Sequence, residues 1–313
     1  MVQFDEHHWA LILGGSSGFG LASAAKLGAE GLNVCVVHRD RRGAMDRITR
    51  EFDAIRAHGR GFLSLNLDAL SAEGMSTVIA ALHDQMGPEG RVRLLLHSIA
   101  FGNLRPVVAP PARADAKDAT AGLDRLAQAL GVPRAEVDRA VRQLADEGET
   151  VFQALDPVDY GAAVLEDEDM ARTIYSMGTS LLTWVQRVHA AGLFASDARV
   201  IGLTSEGNEV AWRGYAAVAA AKSALESVSR AVAVEFGPYG IRSNIVQPGV
   251  TDTPALRLIP GASRMKAGAL RRNPLGRLTT PEDVAGLICL LCTDEARWVN
   301  GSIIRVDGGE HVA

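Results

Sequence analysis

The sequence predicts an α/β fold in which a doubly wound parallel sheet of about seven strands carries a helical insertion after its fourth strand. Two observations predict it. Short apolar runs without polar alternation are separated by stretches of helical periodicity, which is typical of parallel strands covered by helices on both faces. This order stops after residue 104 and resumes near residue 168. We therefore interpret the chain of 313 residues as one domain, residues 1–313, with a helical insertion at residues 104–160.

The elements follow one another regularly on both sides of the insertion. The first four predicted strands are WALILGG, NVCVVHR, GFLSLNLD and RLLLHSIA, and helical stretches separate them. After residue 168 we predict a long helix to about residue 192, the strand ARVIGLTS and a helix over RGYAAVAAAKSALESVSR. The strand IRSNIVQPG, the helix TPEDVAGLICLLCTD and the strand GSIIRVDGG complete the sheet.

The insertion begins with the proline-rich LRPVVAPPARAD and continues with two helical stretches, GLDRLAQALG and PRAEVDRAVRQLADEG. Gly131 and Pro133 separate them, so we expect a helical hairpin. A helix-turn-helix can bind DNA, but residues 113–149 carry six basic and eight acidic side chains, which is the wrong sign for phosphate. We expect a lid or a subunit contact instead. The apolar residues at helical spacing are Leu123, Leu126, Ala127, Leu130, Val137, Ala140, Val141 and Leu144.

Composition indicates a globular protein without nucleic-acid partners. Hydrophobic residues make up 47% of the chain and charged residues 22%, and the net charge of −5 gives no support to binding nucleic acid by charge. The start, MVQFDEHHWALILGG, has acids and histidines where a signal peptide has basic residues, and its apolar run is too short to cross a bilayer. We expect a cytoplasmic protein without membrane insertion.

The three cysteines are too few and too unevenly placed for a disulfide framework. Cys289 and Cys292 form a CxxC, but the sequence has no second CxxC and no histidine pair near them. The surrounding AGLICLLCTDE has the pattern of a buried helix. We therefore interpret both cysteines as core residues and predict no metal site.

The turn after the first strand predicts dinucleotide binding. The sequence GGSSGFG has glycines in a GxxxGxG spacing directly before a helix. Glycine permits a positive φ and lets the backbone approach a pyrophosphate, whose charge is favoured at a helix N-terminus. Because the motif lies in the first βαβ unit, it indicates a Rossmann-type site. The residues expected to contribute are Gly14, Ser16, Ser17, Gly18, Phe19 and Gly20.

The end of the second strand bears on which dinucleotide binds. A carboxylate there would hold the ribose 2′-hydroxyl and repel a 2′-phosphate. The strand ends VVHRDRR, so His38 occupies the position where that carboxylate would stand, and Arg39 follows it. The arginine side chain is well shaped to bind a phosphate. NADP(H) is favoured, while Asp40 keeps NAD(H) possible. Asp68, at the end of the third strand, either accepts a hydrogen bond from the adenine amine or caps the next helix.

Together these motifs resemble the short-chain dehydrogenase/reductase superfamily over about residues 8–104 and 168–310. The resemblance is carried by GGSSGFG, NLDA, Tyr215 with Lys222, QPGVTDT and VNGSIIRVDGG. It implies a reductase that uses a nicotinamide dinucleotide and that forms a homotetramer or homodimer. It also implies a cofactor site that includes Asp68, Ala69, Ser98, Ile99, Ala100, Lys222, Pro248, Gly249, Val250, Thr251 and Thr253.

Two features resemble the enoyl-acyl carrier protein reductase branch of that superfamily. The fourth strand ends in LHSIAFG where most members have Asn-Asn-Ala-Gly, and the tyrosine precedes the lysine by seven residues instead of four. The usual position is Val218, which cannot transfer a proton. In a helix, a spacing of seven brings the second side chain to within about 20° of the first, roughly 10.5 Å further along the axis. Tyr215 and Lys222 are therefore expected on one face.

The resemblance implies a role for each site residue. Tyr215 would stabilise an enolate oxygen, Lys222 would hold the nicotinamide ribose and lower the tyrosine pKa, and Gly102 would lie near the acyl carbonyl. Ser205 stands ten residues before Tyr215, where typical enoyl reductases have another tyrosine, and thirteen before Val218, where ordinary members keep a catalytic serine. Reduction of a 2-enoyl thioester in lipid metabolism is favoured. Reduction of a 3-oxoacyl or other ketone remains an alternative, and an NADP-sensing regulator is a third hypothesis.

The stretch between Thr253 and Thr280 follows where the family has a mobile substrate loop. It carries six basic residues and no acid. Such a charge would attract an acidic acyl carrier protein or coenzyme A, and a solvated basic loop explains it equally well. We therefore expect an acyl thioester substrate, whose carrier is either acyl carrier protein or coenzyme A.

Overall fold

The computed structural model describes residues 4–109, 116–147 and 163–313, together with residues 149, 158, 160 and 161. In this part of the chain the strands are β1 (His8–Leu13), β2 (Asn33–His38), β3 (Phe62–Asn66), β4 (Arg91–His97), β5 (Phe194–Leu203), β6 (Ile241–Pro248) and β7 (Ile303–Val306). They form a parallel sheet of seven strands in the order β3-β2-β1-β4-β5-β6-β7. The predicted fold class is confirmed.

Helices connect the strands and cover the sheet. They are α1 (Gly18–Ala29), α2 (Met45–Arg56), α3 (Ala72–Met86), α4 (Ala116–Leu130), α5 (Arg134–Asp146), α6 (Asp167–Ile174), α7 (Ser180–Ala190), α8 (Ala216–Glu235), α9 (Pro254–Arg257), α10 (Ala262–Arg272) and α11 (Pro281–Leu291). A π-helical turn, Tyr175–Thr179, joins α6 to α7 within the predicted long helix. The sequence did not predict α9 and α10, which lie in the stretch that we interpreted as a loop.

Two apolar cores lie on opposite faces of the sheet. Because side chains alternate along a strand, Leu11 and Leu13 of β1 enter the core under α3, α7 and α8, whereas Ala10 and Ile12 enter the core under α1, α2 and α11. Cys289 and Cys292 belong to the second core, and burial raises the pKa of Cys292 to about 12. Their interpretation as core residues is confirmed. Across the described residues, every helix is too short or too polar to cross a membrane.

The two helices after β4 form the predicted hairpin in the part of the insertion that the structure describes. A small core of Leu123, Ala127, Val137 and Val141 joins α4 to α5. Leu130 is 62% exposed and Ala140 is also exposed, so these two of the apolar residues at helical spacing lie outside this small core. Besides α4, α5 also contacts α10. Most of residues 148–162 lie outside the described residues, and the insertion's role remains a prediction.

The order of the strands fixes where a ligand can bind. Successive strands run outward from β1 to β3 in one direction and from β4 to β7 in the other. The connections therefore diverge between β1 and β4 and leave a crevice at the carboxyl ends of these strands. The predicted nucleotide and catalytic segments all follow the carboxyl ends of strands.

At the opposite end of the sheet, one carboxylate holds three arginines. Asp197 accepts hydrogen bonds from Arg93 at 2.7 Å, from Arg199 at 2.7 Å and from Arg242. Arg93 and Arg199 are almost completely buried, so their charges depend on this partner. Burial of Asp197 raises its pKa, but the hydrogen bond from Arg199 and the nearby guanidinium charges outweigh burial and lower it.

We expect Asp197→Asn to lower the free energy of unfolding by about 2–4 kcal/mol, because it leaves the buried Arg199 without a carboxylate partner and the buried Arg93 with only the exposed Asp294. Equilibrium unfolding in urea measures this change. Asp294→Asn is the matched control, since Asp294 also binds Arg93 but its side chain is 79% exposed, and we expect a change below about 0.5 kcal/mol. Equal effects of the two substitutions would contradict this account of Asp197.

Candidate functional site

A cavity of about 610 Å³ opens at the carboxyl ends of the strands. Most of the residues that line it lie at the carboxyl ends of β1 to β6 or belong to α8. Among the site residues predicted from sequence, Gly20 alone does not line this cavity. The structure thus brings the predicted residues together, and their roles remain predictions.

The glycine loop after β1 has the geometry that dinucleotides require. Gly14 and Gly18 have positive φ angles of 86° and 52°. A Cβ on Gly14 would lie 2.5 Å from the carbonyl oxygen of Ser98, and a Cβ on Gly20 would lie 2.2 Å from that of Gly14. Gly20 therefore lets α1 start directly against the loop, and its role is in packing. The close backbone and the N-terminus of α1 fit a pyrophosphate.

The polar residues after β2 pair with one another. His38 Nδ1 lies 2.9 Å from Asp40 Oδ2, so the carboxylate that kept NAD(H) possible is engaged by a neighbour. Arg39 donates to Asp68 at 3.1 Å, and its guanidinium stacks 4.6 Å from the centroid of the Phe101 ring. Arg39 thus lies over the cavity between the ends of β2, β3 and β4.

Asp68 does not cap α3. The cap is Ser71, whose hydroxyl accepts a hydrogen bond from the amide of Gly74 at 3.0 Å. Asp68 instead accepts from the amide of Leu70 at 2.9 Å and lines the cavity. The capping alternative is therefore wrong, and a position beside an adenine amine stays a prediction.

The catalytic candidates meet where α8 begins. Tyr215 is the N-cap residue of α8, and its hydroxyl lies 3.2 Å from Ser205 Oγ. Lys222 is buried in the second turn of the helix, and its Nζ donates to the carbonyl oxygen of Leu203 at 2.7 Å. Ser205, Tyr215 and Lys222 therefore surround one end of the cavity.

Burial sets the protonation of this group. It raises the pKa of Tyr215, and the hydrogen bond with Ser205 lowers that pKa in part. The tyrosine therefore stays a neutral hydrogen-bond donor at neutral pH. Burial lowers the pKa of Lys222 to about 8, against the charge of Glu226, which raises it. We expected Lys222 to lower the pKa of Tyr215. In the structure, the group that lowers this pKa is Ser205, through its hydrogen bond.

Glu226 is a site residue that the sequence analysis missed. Its Oε1 accepts hydrogen bonds from Thr204 Oγ1 and from Asn208 Nδ2. Glu226 thereby anchors the segment that carries Ser205 to the helix that carries Lys222. The available signal was its position four residues after Lys222, which places both side chains on one face of α8.

Gly207 makes room for the ring of Tyr215. A Cβ at this position would lie 2.3 Å from the ring of Tyr215 and 3.2 Å from the ring of Trp212. The two rings pack edge to face with centroids 5.3 Å apart. A side chain at position 207 would therefore push the Tyr215 ring away from Ser205.

The turn after β6 is held by a buried carboxylate that the sequence did not reveal. Glu310 is 2% exposed, and its Oε2 accepts from the amide of Val250 at 3.1 Å. Burial raises the pKa of Glu310. The turn also begins α9, because Thr253 Oγ1 accepts from the amide of Leu256. The predicted cofactor residues Pro248, Gly249, Val250, Thr251 and Thr253 all line the cavity here.

The remaining wall of the cavity is mainly apolar. Gly102 lies at its edge, where a Cβ would lie 2.6 Å from Thr173 and 2.9 Å from the sulfur of Met177. A larger residue at position 102 would thus displace this wall. The apolar side chains here are Leu104, Met177, Trp212, Val218, Leu256, Ile259 and Met265.

The basic stretch between Thr253 and Thr280 is largely neutralised within the chain. Four of its basic residues form ion pairs with acids that flank the stretch or lie far from it in sequence. The pairs are Arg257 with Asp252, Lys266 with Asp146, Arg272 with Glu206 and Arg277 with Asp283. The sequence overstates the positive field, because these acids lie outside the stretch.

Comparison with known proteins identifies the class. A family model described as short chain dehydrogenase matches residues 8–108, and one described as enoyl-(acyl carrier protein) reductase matches residues 135–311. An oxidoreductase of Methylorubrum extorquens is 30% identical over 252 residues, which cover 71% of this chain and 98% of that protein. The chain belongs to the short-chain dehydrogenase/reductase superfamily and is an oxidoreductase.

Other similar proteins carry the names of different activities. The cis-4-hydroxycyclohexanecarboxylate dehydrogenase of Sinomonas cyclohexanicum is 27% identical over 96% of this chain and 95% of its own. The 1-cyclohexenylcarbonyl-CoA reductase of Streptomyces collinus is 36% identical over 38% of this chain and 44% of its own. The FabI structure from Candidatus Liberibacter asiaticus has a TM-score of 0.72 at 19% identity and covers 100% of this chain and 98% of its own, which shows the shared fold.

We expect Tyr215→Phe to reduce turnover by about 10²–10⁴-fold, because the phenyl ring keeps its packing but loses the donor. Steady-state reduction measures turnover, and fluorescence titration with NADPH should show an unchanged Kd. A turnover within a factor of about three of the unsubstituted protein would remove Tyr215 from the chemistry.

We expect Glu226→Gln to move the alkaline limb of the pH profile to lower pH. Lys222 is protonated below its pKa of about 8, and Glu226 raises that pKa, so removing the carboxylate makes the lysine lose its proton at lower pH. Well below that limb the rate should change by less than about fivefold, since the amide oxygen still accepts from Thr204. The measurement is kcat/KM against pH. A limb at unchanged pH would contradict the coupling.

Proposed function

We propose that the protein reduces the carbon–carbon double bond of a 2-enoyl thioester with NADPH. The carrying observation is the position of Tyr215 at the N-cap of α8, seven residues before the buried Lys222, with Val218 where most members of the superfamily have tyrosine. The family-model match to enoyl-(acyl carrier protein) reductase over residues 135–311 supports this proposal. So does LHSIAFG at the end of β4.

The residues of the chain fit a bound NADPH, which would supply the hydride. The loop after β1 binds the pyrophosphate, and Lys222 as an ammonium ion holds the nicotinamide ribose. Tyr215 would donate a hydrogen bond to the thioester oxygen, where negative charge develops when hydride is added to the β-carbon, and a proton from solvent on the α-carbon would complete the reduction. Ser205 orients the Tyr215 hydroxyl at 3.2 Å. The apolar wall excludes water from the reacting carbon.

Two features support NADPH over NADH. His38 occupies the place where a carboxylate would repel the 2′-phosphate, and Asp40 is turned toward His38. Arg39 lies at the same end of the cavity and is exposed enough to bind a phosphate. A ratio of Kd values that favours NADH by fluorescence titration would overturn this choice.

A second candidate is a dehydrogenase that interconverts an alcohol and a ketone. Ser205 lies within hydrogen-bond distance of Tyr215, as a serine that polarises a ketone would. One relative that matches this chain at nearly full length, the cis-4-hydroxycyclohexanecarboxylate dehydrogenase, acts on a secondary alcohol by its name. A regulator that only senses NADP is less favoured, because it has no need of the Ser205 and Tyr215 pair.

The proposal also covers the carrier of the acyl group and the oligomeric state of the protein. An acyl carrier protein or coenzyme A would deliver the thioester, and the paired charges of the basic stretch do not favour either one. We propose a homotetramer or homodimer. Its support is the exposure of the apolar residues Val234, Trp298 and Ile303, the last of which lies on the edge strand β7.

NADPH oxidation with crotonyl-CoA and with acetoacetyl-CoA, assayed side by side, tests the function. We expect turnover of crotonyl-CoA and little of acetoacetyl-CoA. Cyclohexanone is added as a ketone without a thioester. Turnover of the ketones alone would overturn the enoyl reductase and support the dehydrogenase, and turnover of none would support the regulator.

A further inference from the structure

A charged contact joins the helical insertion to the substrate side of the cleft. Lys266 lies in α10, and its Nζ lies 2.9 Å from Asp146 Oδ1 at the end of α5. The same Nζ lies 3.7 Å from Asp252 Oδ2. The Lys266 side chain is only 16% exposed, so its charge is largely withdrawn from water and depends on these carboxylates.

The two carboxylates belong to different segments of the chain. Asp146 is part of the insertion, whereas Asp252 lies between Thr251 and Thr253 in the turn that lines the cavity after β6. A hydrogen bond from Arg257 and the charge of Lys266 lower the pKa of Asp252, which therefore stays ionised. One lysine thus ties the insertion, α10 and the nicotinamide end of the cavity together.

Two further residues of the insertion contact the borders of the cleft. Val158 lies 3.2 Å from the place that a Cβ would take on Gly261, directly before α10. Tyr160 lies 3.3 Å from the corresponding place on Gly214, directly before the catalytic tyrosine, and Arg213 stacks 5.4 Å from its ring. The insertion therefore contacts both sides of the cleft.

The other end of α10 is also held. Arg272 forms ion pairs with Glu206, which follows Ser205, and with the buried Glu310. Met265, beside Lys266, lines the cavity. The position of α10 thus decides how closely the apolar wall approaches a substrate.

We propose that Lys266 is a positioning residue that fastens α10 to the end of α5 in the insertion and to the turn after β6, so that α10 is held at the substrate side of the cleft. The fastening is independent of the reaction, whereas its effect on the KM for an acyl thioester rests on the proposed function.

Hydrogen–deuterium exchange of the full chain, without substrate, tests the fastening. Lys266→Met keeps the length of the side chain and removes its charge, and Asp146→Asn removes only the partner in the insertion. In both variants we expect the amides of residues 262–272 to exchange about two- to fivefold faster, the size expected for loss of a partly exposed ion pair. Asp138→Asn is the matched control, because Asp138 pairs with Arg134 within α5.

Unchanged exchange of residues 262–272 in both Lys266→Met and Asp146→Asn would overturn the proposal, as would equally faster exchange in Asp138→Asn. In steady-state assays with crotonyl-CoA, Lys266→Met should raise KM by about two- to fivefold while kcat stays within about twofold. A fall in kcat with an unchanged KM would also overturn it. If the unsubstituted protein reduces no enoyl thioester, the proposed function fails, while the exchange result still decides the role of Lys266.

Discussion

The contact between the carboxyl end of β5 and the first turns of α8 is the constraint on which the site depends. The carbonyl of Leu203 accepts from Lys222, Thr204 donates to Glu226, and Ser205 meets Tyr215. Three successive residues of one segment therefore fix one helix. Because this junction is buried, the tyrosine hydroxyl has a defined distance from the lysine, and burial also sets their protonation. A shift of α8 by one residue would break all three contacts.

The fold and the place of the site could be predicted from sequence because both follow from short-range patterns. Buried parallel strands are continuous apolar runs, and the glycine loop, LHSIAFG, Ser205, Tyr215 and Lys222 all follow strand ends. The carboxyl ends of neighbouring strands then bring these motifs together. The position of each motif in the chain and the order of the strands were therefore sufficient to predict where the site lies.

The contacts between distant segments could not be predicted. Glu310 reaches Val250 across sixty residues, and nothing in its sequence neighbourhood indicates a buried carboxylate. The basic stretch after Thr253 looked unopposed because its acidic partners lie elsewhere in the chain. Helix α10 was missed for a related reason, since it packs against α5 of the insertion. Helix α9 did have a local signal, because Thr253 caps it and Pro254 follows. Long-range charge pairing thus changes both the electrostatics and the local structure of the substrate side.

The most direct test uses one substrate that contains both a carbon–carbon double bond and a carbonyl group, so that either bond can be reduced. A conjugated enone is incubated with NADPH that carries deuterium at the transferable position, and NMR locates the label in the product. The account predicts deuterium on the β-carbon of a saturated ketone, because Tyr215 polarises the carbonyl while the adjacent double bond is reduced. Deuterium on the carbinol carbon of an allylic alcohol would contradict it and would assign the pair of Ser205 and Tyr215 to ketone chemistry.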